Sequence, residues 1–218
     1  MTNPKAQGSK RKPDAESLQK DPGYRMLLEL DFEEMIPFVL KNIKRRNGIT
    51  LMYFTINAAT LLFILFYIFW GIRNGIFSGG RILGQIVAGF MAGSILVIPP
   101  HELLHGLAYR MLGARKIKFG VDLQQFIFYV TADRIPISKR ELTFLALTPF
   151  IVINLATIGI TMGWFTHLTL FSATFLLSHN IMCIGDFAMI SFVYQNKGKV
   201  FSFDDIQNKK SYFFARTD

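Results

Sequence analysis

The sequence predicts an all-α membrane protein of four transmembrane helices with a short interfacial β-hairpin between the second and third. Three observations carry this. Of 218 residues, 51% are hydrophobic and 22 are Phe. The 24 basic and 15 acidic side chains crowd into residues 1–49, 110–141 and 196–218. Between these stretches lie long apolar blocks almost free of charge. That segregation is what a bilayer imposes, because a charge in hydrocarbon must find a partner or cost several kcal/mol.

The elements follow in order. Residues 1–25 are rich in Lys, Ser, Pro and Asp and are expected to form a disordered basic tail. The tail opens on no apolar signal segment, so the first span is expected to act as the insertion signal. Residues 26–48 form an amphipathic juxtamembrane segment, read as a short helix on the membrane surface or on cytosolic loops and closed by a basic collar, Lys41 to Arg46. A membrane-embedded domain covers 49–195. Its first span, about 49–70, is long enough to cross roughly 30 Å of hydrocarbon, and Trp70 stands where an interfacial aromatic belongs. The second span starts after Arg81 and continues to about Leu112, with a kink expected at Pro99-Pro100. Over 115–133, Ile117, Phe119, Val121 and Leu123 alternate with polar residues or Gly, a period of two that predicts the hairpin. The third span runs from about 142 to 164 with a kink near Pro149, and the fourth from about 168 to 194. The tail 196–218 is basic and aromatic, shows no clear periodicity, and is expected in the cytosol.

Charge sets orientation and excludes one class of partner. Residues 71–81 carry two Lys/Arg, the 164–167 turn none, and 110–140 seven. The positive-inside rule therefore puts both termini and the hairpin in the cytosol. The net charge of +9 flanks the apolar spans, where it meets anionic headgroups. With no recognition fold present, nucleic acid is not expected as a partner. The single cysteine, Cys183, permits no internal disulfide.

The chemistry is expected inside the apolar spans. Only two acids, Glu102 and Asp186, and three of the four histidines, His101, His105 and His179, fall there. His101 and His105 are four apart, so on a helix their imidazoles share one face and suit a single metal ion. Glu102, beside the first of them, is placed to take a proton from water at an open metal position. A catalytic zinc of this kind needs a third protein ligand. Asp186 is favoured on depth: His101 lies 20 residues past Arg81 and Asp186 lies 19 past His167, each roughly 30 Å from the outer boundary on parallel helices. His179 is the rival ligand. Seven residues before Asp186, it would lie about 10 Å deeper and could join the same ion only across a break near Gly185. Otherwise His179 is a candidate for contact with a reaction oxyanion. Asn154 and Asn180 are candidates either for substrate backbone contacts or for holding helices together. Cys183 is read as a buried, inert thiol, and a structural His–Asp cluster is the competing account of the whole motif.

The run His101-Glu102-Leu103-Leu104-His105-Gly106 after Ile98-Pro99-Pro100 resembles the bacterial family of zincin membrane peptidases, itself similar to the site-2 proteases. The resemblance continues through Lys118-Phe119-Gly120, Thr148-Pro149 and Gly185-Asp186 and spans about residues 80 to 200. It implies an integral protein of the bacterial inner membrane that carries out intramembrane or juxtamembrane proteolysis. It implies Zn2+ on His101 and His105, Asp186 as third ligand, and Glu102 as catalytic base. The chain departs from the site-2 pattern at Ile184-Gly185-Asp186-Phe187, where Leu-Asp-Gly is usual, which leaves the third ligand open between Asp186 and His179. The expected function is a zinc-dependent endopeptidase that cleaves a membrane-tethered protein near the cytosolic face, with the hairpin edge as a possible seat for unwound substrate. A non-catalytic zinc-binding scaffold or sensor, and a zinc hydrolase acting on lipid, are the alternatives.

Overall fold

A computed structural model of the chain describes residues 12–122, 127–165 and 169–217. Three helical stretches are long and apolar enough to cross a membrane. The first is α3 (Gly48–Arg73). It opens on a capping box in which Asn47 accepts from Ile49 N and Thr50 N at 3.0 Å, while Thr50 Oγ1 accepts from Asn47 N at 3.2 Å. Leu51, Leu62, Phe66 and Phe69 on α3 face outward, as a helix that is apolar all round requires of its surroundings. The second stretch joins α4 (Gly79–Met91) to α5 (Ile98–Met111). The third is α6 (Lys139–Phe165). A fourth span exists only if α7 (Leu170–Met182) and α8 (Ile184–Gln195) are counted together, because they bend by 44° at Cys183. The uninterrupted fourth helix expected from sequence is thus two helices.

The second span is also broken, by a device subtler than a proline kink. Residues Ala92–Leu96 form a π-helical turn, with Val97 N–H bonded to Ala92 O at 3.0 Å. Pro99 and Pro100 follow in the first turn of α5, where missing N–H groups cost least. The extra residue in the turn resets the helical phase just before His101. Gly89 and Gly93 hold this span against α7. A Cβ on Gly89 would lie 2.5 Å from Phe171 O, and one on Gly93 would lie 2.4 Å from Phe175 O. Only glycine lets the two backbones meet this closely.

The fold is not all-α. β1 (Tyr24–Asp31), β5 (Val200–Asp205), β6 (Lys210–Arg216) and the two-residue β4 (Ile137–Ser138) form an antiparallel sheet in the order β1-β6-β5-β4. A separate hairpin pairs β2 (Ile117–Asp122) with β3 (Ile127–Ala132), within the stretch where alternation predicts strands. Leu123, the last alternating apolar residue, lies outside the described residues. The segment read as one surface helix is instead β1, a 3-10 turn at Phe32–Glu34 and a shorter helix, α2 (Met35–Ile43). Of the tail expected to be disordered, residues 1–11 lie outside the described residues, whereas Ala15–Lys20 form α1 with Asp14 as N-cap. The patternless C-terminal tail is the β5–β6 hairpin.

The sheet is sandwiched. One face packs Leu30, Val200 and Phe213 onto Phe38, Ala108, Tyr109, Leu142, Leu145 and Val193 at the ends of the helices. The other packs Phe203, Tyr212 and Phe214 onto Ala15 and Leu18 of α1. Strands covered on both faces need apolar residues at successive positions, so β6 reads as a run and not as an alternation. β1 is further disguised by a register irregularity between Met26 and Leu28.

Candidate metal centre

α5 supplies His101 and His105 one turn apart, and the bend at Cys183 brings Asp186 to them from the first turn of α8. His101 Nε2 and His105 Nε2 are 3.2 Å apart. Asp186 Oδ1 lies 3.3 Å from His105 Nε2, and Oδ2 lies 3.5 Å from His101 Nε2. Donors at the corners of a tetrahedron with metal bonds of about 2.0–2.1 Å stand about 3.3–3.4 Å apart. Separations of this size are compatible with a single ion, and the three side chains could hold a metal.

The far nitrogens of both rings are occupied in the way such a site needs. His105 Nδ1 lies 3.1 Å from the carbonyl of Leu145 on α6. That carbonyl is available because its helical partner would be residue 149, and Pro149 has no N–H to give. His101 Nδ1 lies 3.2 Å from His179 Nε2. The arrangement that satisfies both contacts puts the ring protons on Nδ1 of His101 and His105. Both Nε2 lone pairs then face Asp186, and both rings are fixed from behind.

His179 is accordingly not 10 Å removed from the cluster, as a straight fourth span implied. α7 ends at Met182, and its close packing on the π turn of the second span carries His179 to the rear of His101. It reaches the outer nitrogen of that ring, not the face shared with Asp186. Cys183 Sγ lies 3.7 Å from His179 Nε2 and is buried. His101, His179 and Cys183 form a second trio able to hold an ion, on the opposite side of the His101 ring. Of the Asn candidates, Asn154 Nδ2 donates to Asn180 Oδ1 at 2.7 Å, joining α6 to α7. The Tyr53 hydroxyl donates to Ile181 O at 3.0 Å, satisfying a carbonyl just before the bend.

Glu102 shares α5 with the histidines and is partly buried. It lines, with His105 and Asp186, a cavity of about 620 Å³ between the β2–β3 hairpin, the four-stranded sheet and the ends of α5, α6 and α8. A second cavity of about 410 Å³ reaches His101, Glu102 and Asp186 from beneath α2. Gly106, next to His105, lets the hairpin lie on α5, since a Cβ there would meet the Phe119 ring at 3.0 Å. Sequence reasoning missed Tyr109, one turn beyond His105, whose hydroxyl donates to Asp204 of β5 at 3.1 Å on the wall of the larger cavity. Its spacing from His105 was visible; its partner was not.

No curated protein and no solved structure matches the chain. Residues 94–201, which contain His101, Glu102, His105, His179, Cys183 and Asp186, match the family described as "Putative zincin peptidase".

Proposed function

We propose that this chain is a zinc-dependent membrane-embedded endopeptidase, similar to the site-2 proteases, that cleaves a membrane-tethered protein near the cytosolic face. The observation that carries the reading is the spacing of His101, His105 and Asp186 at tetrahedral distances with Glu102 beside them on a cavity wall. Zinc held by the three ligands would polarise a peptide carbonyl and lower the pKa of a water to about 7. Glu102 then accepts the proton of the attacking water and returns it to the leaving amine. His105 and His101, braced by Leu145 O and His179, would present their Nε2 atoms to the ion. Asp186 contributes an anionic oxygen and offsets the cation's charge. A pure binding site has no need of a free carboxylate beside its ligands, which weighs against the scaffold or sensor reading.

The Lys/Arg distribution supports an inner-membrane orientation with both termini, both sheets and the mouth of the larger cavity on the cytosolic side. An extended substrate segment would bring its carbonyl within reach of the water that Glu102 activates. Phe128, Tyr129, Val130 and Thr131 of β3 line the cavity and offer such a segment a strand to lie along.

The deciding experiment is metal content with cleavage of a co-expressed membrane-tethered reporter. The wild type is expected to carry one zinc per chain. Glu102→Gln is expected to keep the zinc and lose cleavage, and His105→Ala and Asp186→Ala to lose both. Undiminished cleavage by Glu102→Gln would refute the mechanism.

A further inference from the structure

The larger cavity is mostly apolar, but one wall is not. There Tyr109 donates to Asp204 Oδ2 at 3.1 Å and Ser211 Oγ donates to Asp204 Oδ1 at 2.6 Å. Each oxygen of a carboxylate accepts about two bonds, so both retain capacity. Among the described residues no Lys, Arg or His nitrogen lies within 4.0 Å of Asp204. Arg134 pairs instead with the neighbouring Asp205 at 2.9 Å, and Lys210 with Glu29. Lys209 also lines the cavity but makes no ion pair with Asp204. Burial pushes the Asp204 carboxyl above its ordinary range, the mark of an anion short of a cation.

A second, independent observation concerns the same cavity. Thr131 of β3 is 6% exposed and lines the cavity, yet among the described residues its hydroxyl has no hydrogen-bond partner. Buried hydroxyls are rarely left so. Among the described residues the cavity thus shows acceptor capacity on Asp204 and an unpaired hydroxyl on Thr131, with no cation in an ion pair with Asp204. An extended peptide advances about 3.3–3.4 Å per residue, and Tyr109 lies four residues, or about 6 Å along the helix, beyond His105.

We propose that Asp204 and Thr131 form a specificity subsite that takes a lysine or arginine side chain of the substrate, within about two residues of the scissile bond. The apolar lining accepts the aliphatic stem of such a side chain, and Asp204 supplies the counter-charge to its head. The inference rests on the peptidase reading and names part of its substrate class. Asp204 lies beyond residues 94–201, so on this reading the C-terminal hairpin adds selectivity to the matched region.

The test uses zinc-loaded, detergent-purified protein and two peptide hydroxamates that differ only in lysine against norleucine beside the metal-binding group. The lysine probe is expected to bind about tenfold tighter to the wild type. In Asp204→Asn that gap closes while the norleucine probe keeps its affinity, and Thr131→Val narrows it. Equal affinity of the two probes for the wild type, or a gap that survives Asp204→Asn, overturns the subsite. Should Asp204→Asn weaken both probes together, Tyr109→Phe decides, because it removes a neutral donor and leaves the carboxylate. A retained lysine preference there supports the subsite and a lost one overturns it. A folded wild type that takes up no zinc when zinc is supplied overturns the peptidase reading and the subsite with it.

Discussion

His179 stands one hydrogen bond behind His101, and Pro149 acts one step behind His105 by leaving Leu145 O without a helical donor. Neither touches the space where substrate would sit, so both are positioning residues on the proposed reading. His179→Ala should weaken zinc binding by roughly 10–100-fold, with partial recovery in His179→Gln, measured by competition with a chelator. Pro149→Ala should also weaken zinc binding, by up to about tenfold, because the new N–H competes for Leu145 O; unchanged affinity would show that His105 does not depend on that carbonyl. At Asp204 the consequence is a pH dependence of stability. Its folded pKa is raised above the ordinary 3.8, first by burial, with Ser211 and Tyr109 pulling it partly back. The folded state therefore holds its proton over a window where the unfolded state has lost it, and stability declines as pH rises from about 4 through the folded pKa. The melting temperature of the wild type should fall relative to Asp204→Asn across that window. A constant difference between the two would contradict the raised pKa.

Among the elements, the broken helices do most to assemble the cluster. The π turn sets the phase of His101, and the bend at Cys183 lets α7 serve His101 from behind while α8 presents Asp186 from the front. Gly89 and Gly93 set how closely the second span approaches α7, which carries His179. Gly93→Ala puts a methyl 2.4 Å from a backbone oxygen, so the helices must separate. Expected costs are about 1–3 kcal/mol of stability and a loss of zinc affinity. Gly159→Ala, with nothing within 4 Å of the added atom, is the control and should change neither.

At the scale of the whole molecule, the chain closes on itself across the helices. β1 near the start pairs with β6 near the end, Tyr24 opposite Arg216, and the sheet they build roofs the larger cavity. Phe213 is its bolt: 1% exposed, it meets Phe192 with ring centroids 5.0 Å apart and Phe38 at 6.4 Å. Phe213→Ala should cost about 3–5 kcal/mol, read as a lowered midpoint in denaturant, and should loosen the Tyr109–Asp204 link. A midpoint unchanged from wild type would mean the sheet is not anchored through this ring.

The sequence by itself determined the apolar helices, the β2–β3 alternation and the His101, Glu102, His105 constellation, because each is a local pattern: an unbroken apolar run, a period of two, a four-residue spacing. It also singled out Asp186, since an acid deep in an apolar stretch is conspicuous wherever the chain carries it. Only the tertiary structure decided the place of His179, because a straight helix puts it 10 Å away and the bend at Cys183 does not. It alone revealed the four-stranded sheet, whose partners lie at opposite ends of the chain and whose best-covered strand, buried on both faces, has no alternation to read. The carbonyl freed by Pro149 and the acid opposite Tyr109 belong to the same class: a sequence states which groups a residue offers, while folding chooses the group that meets it.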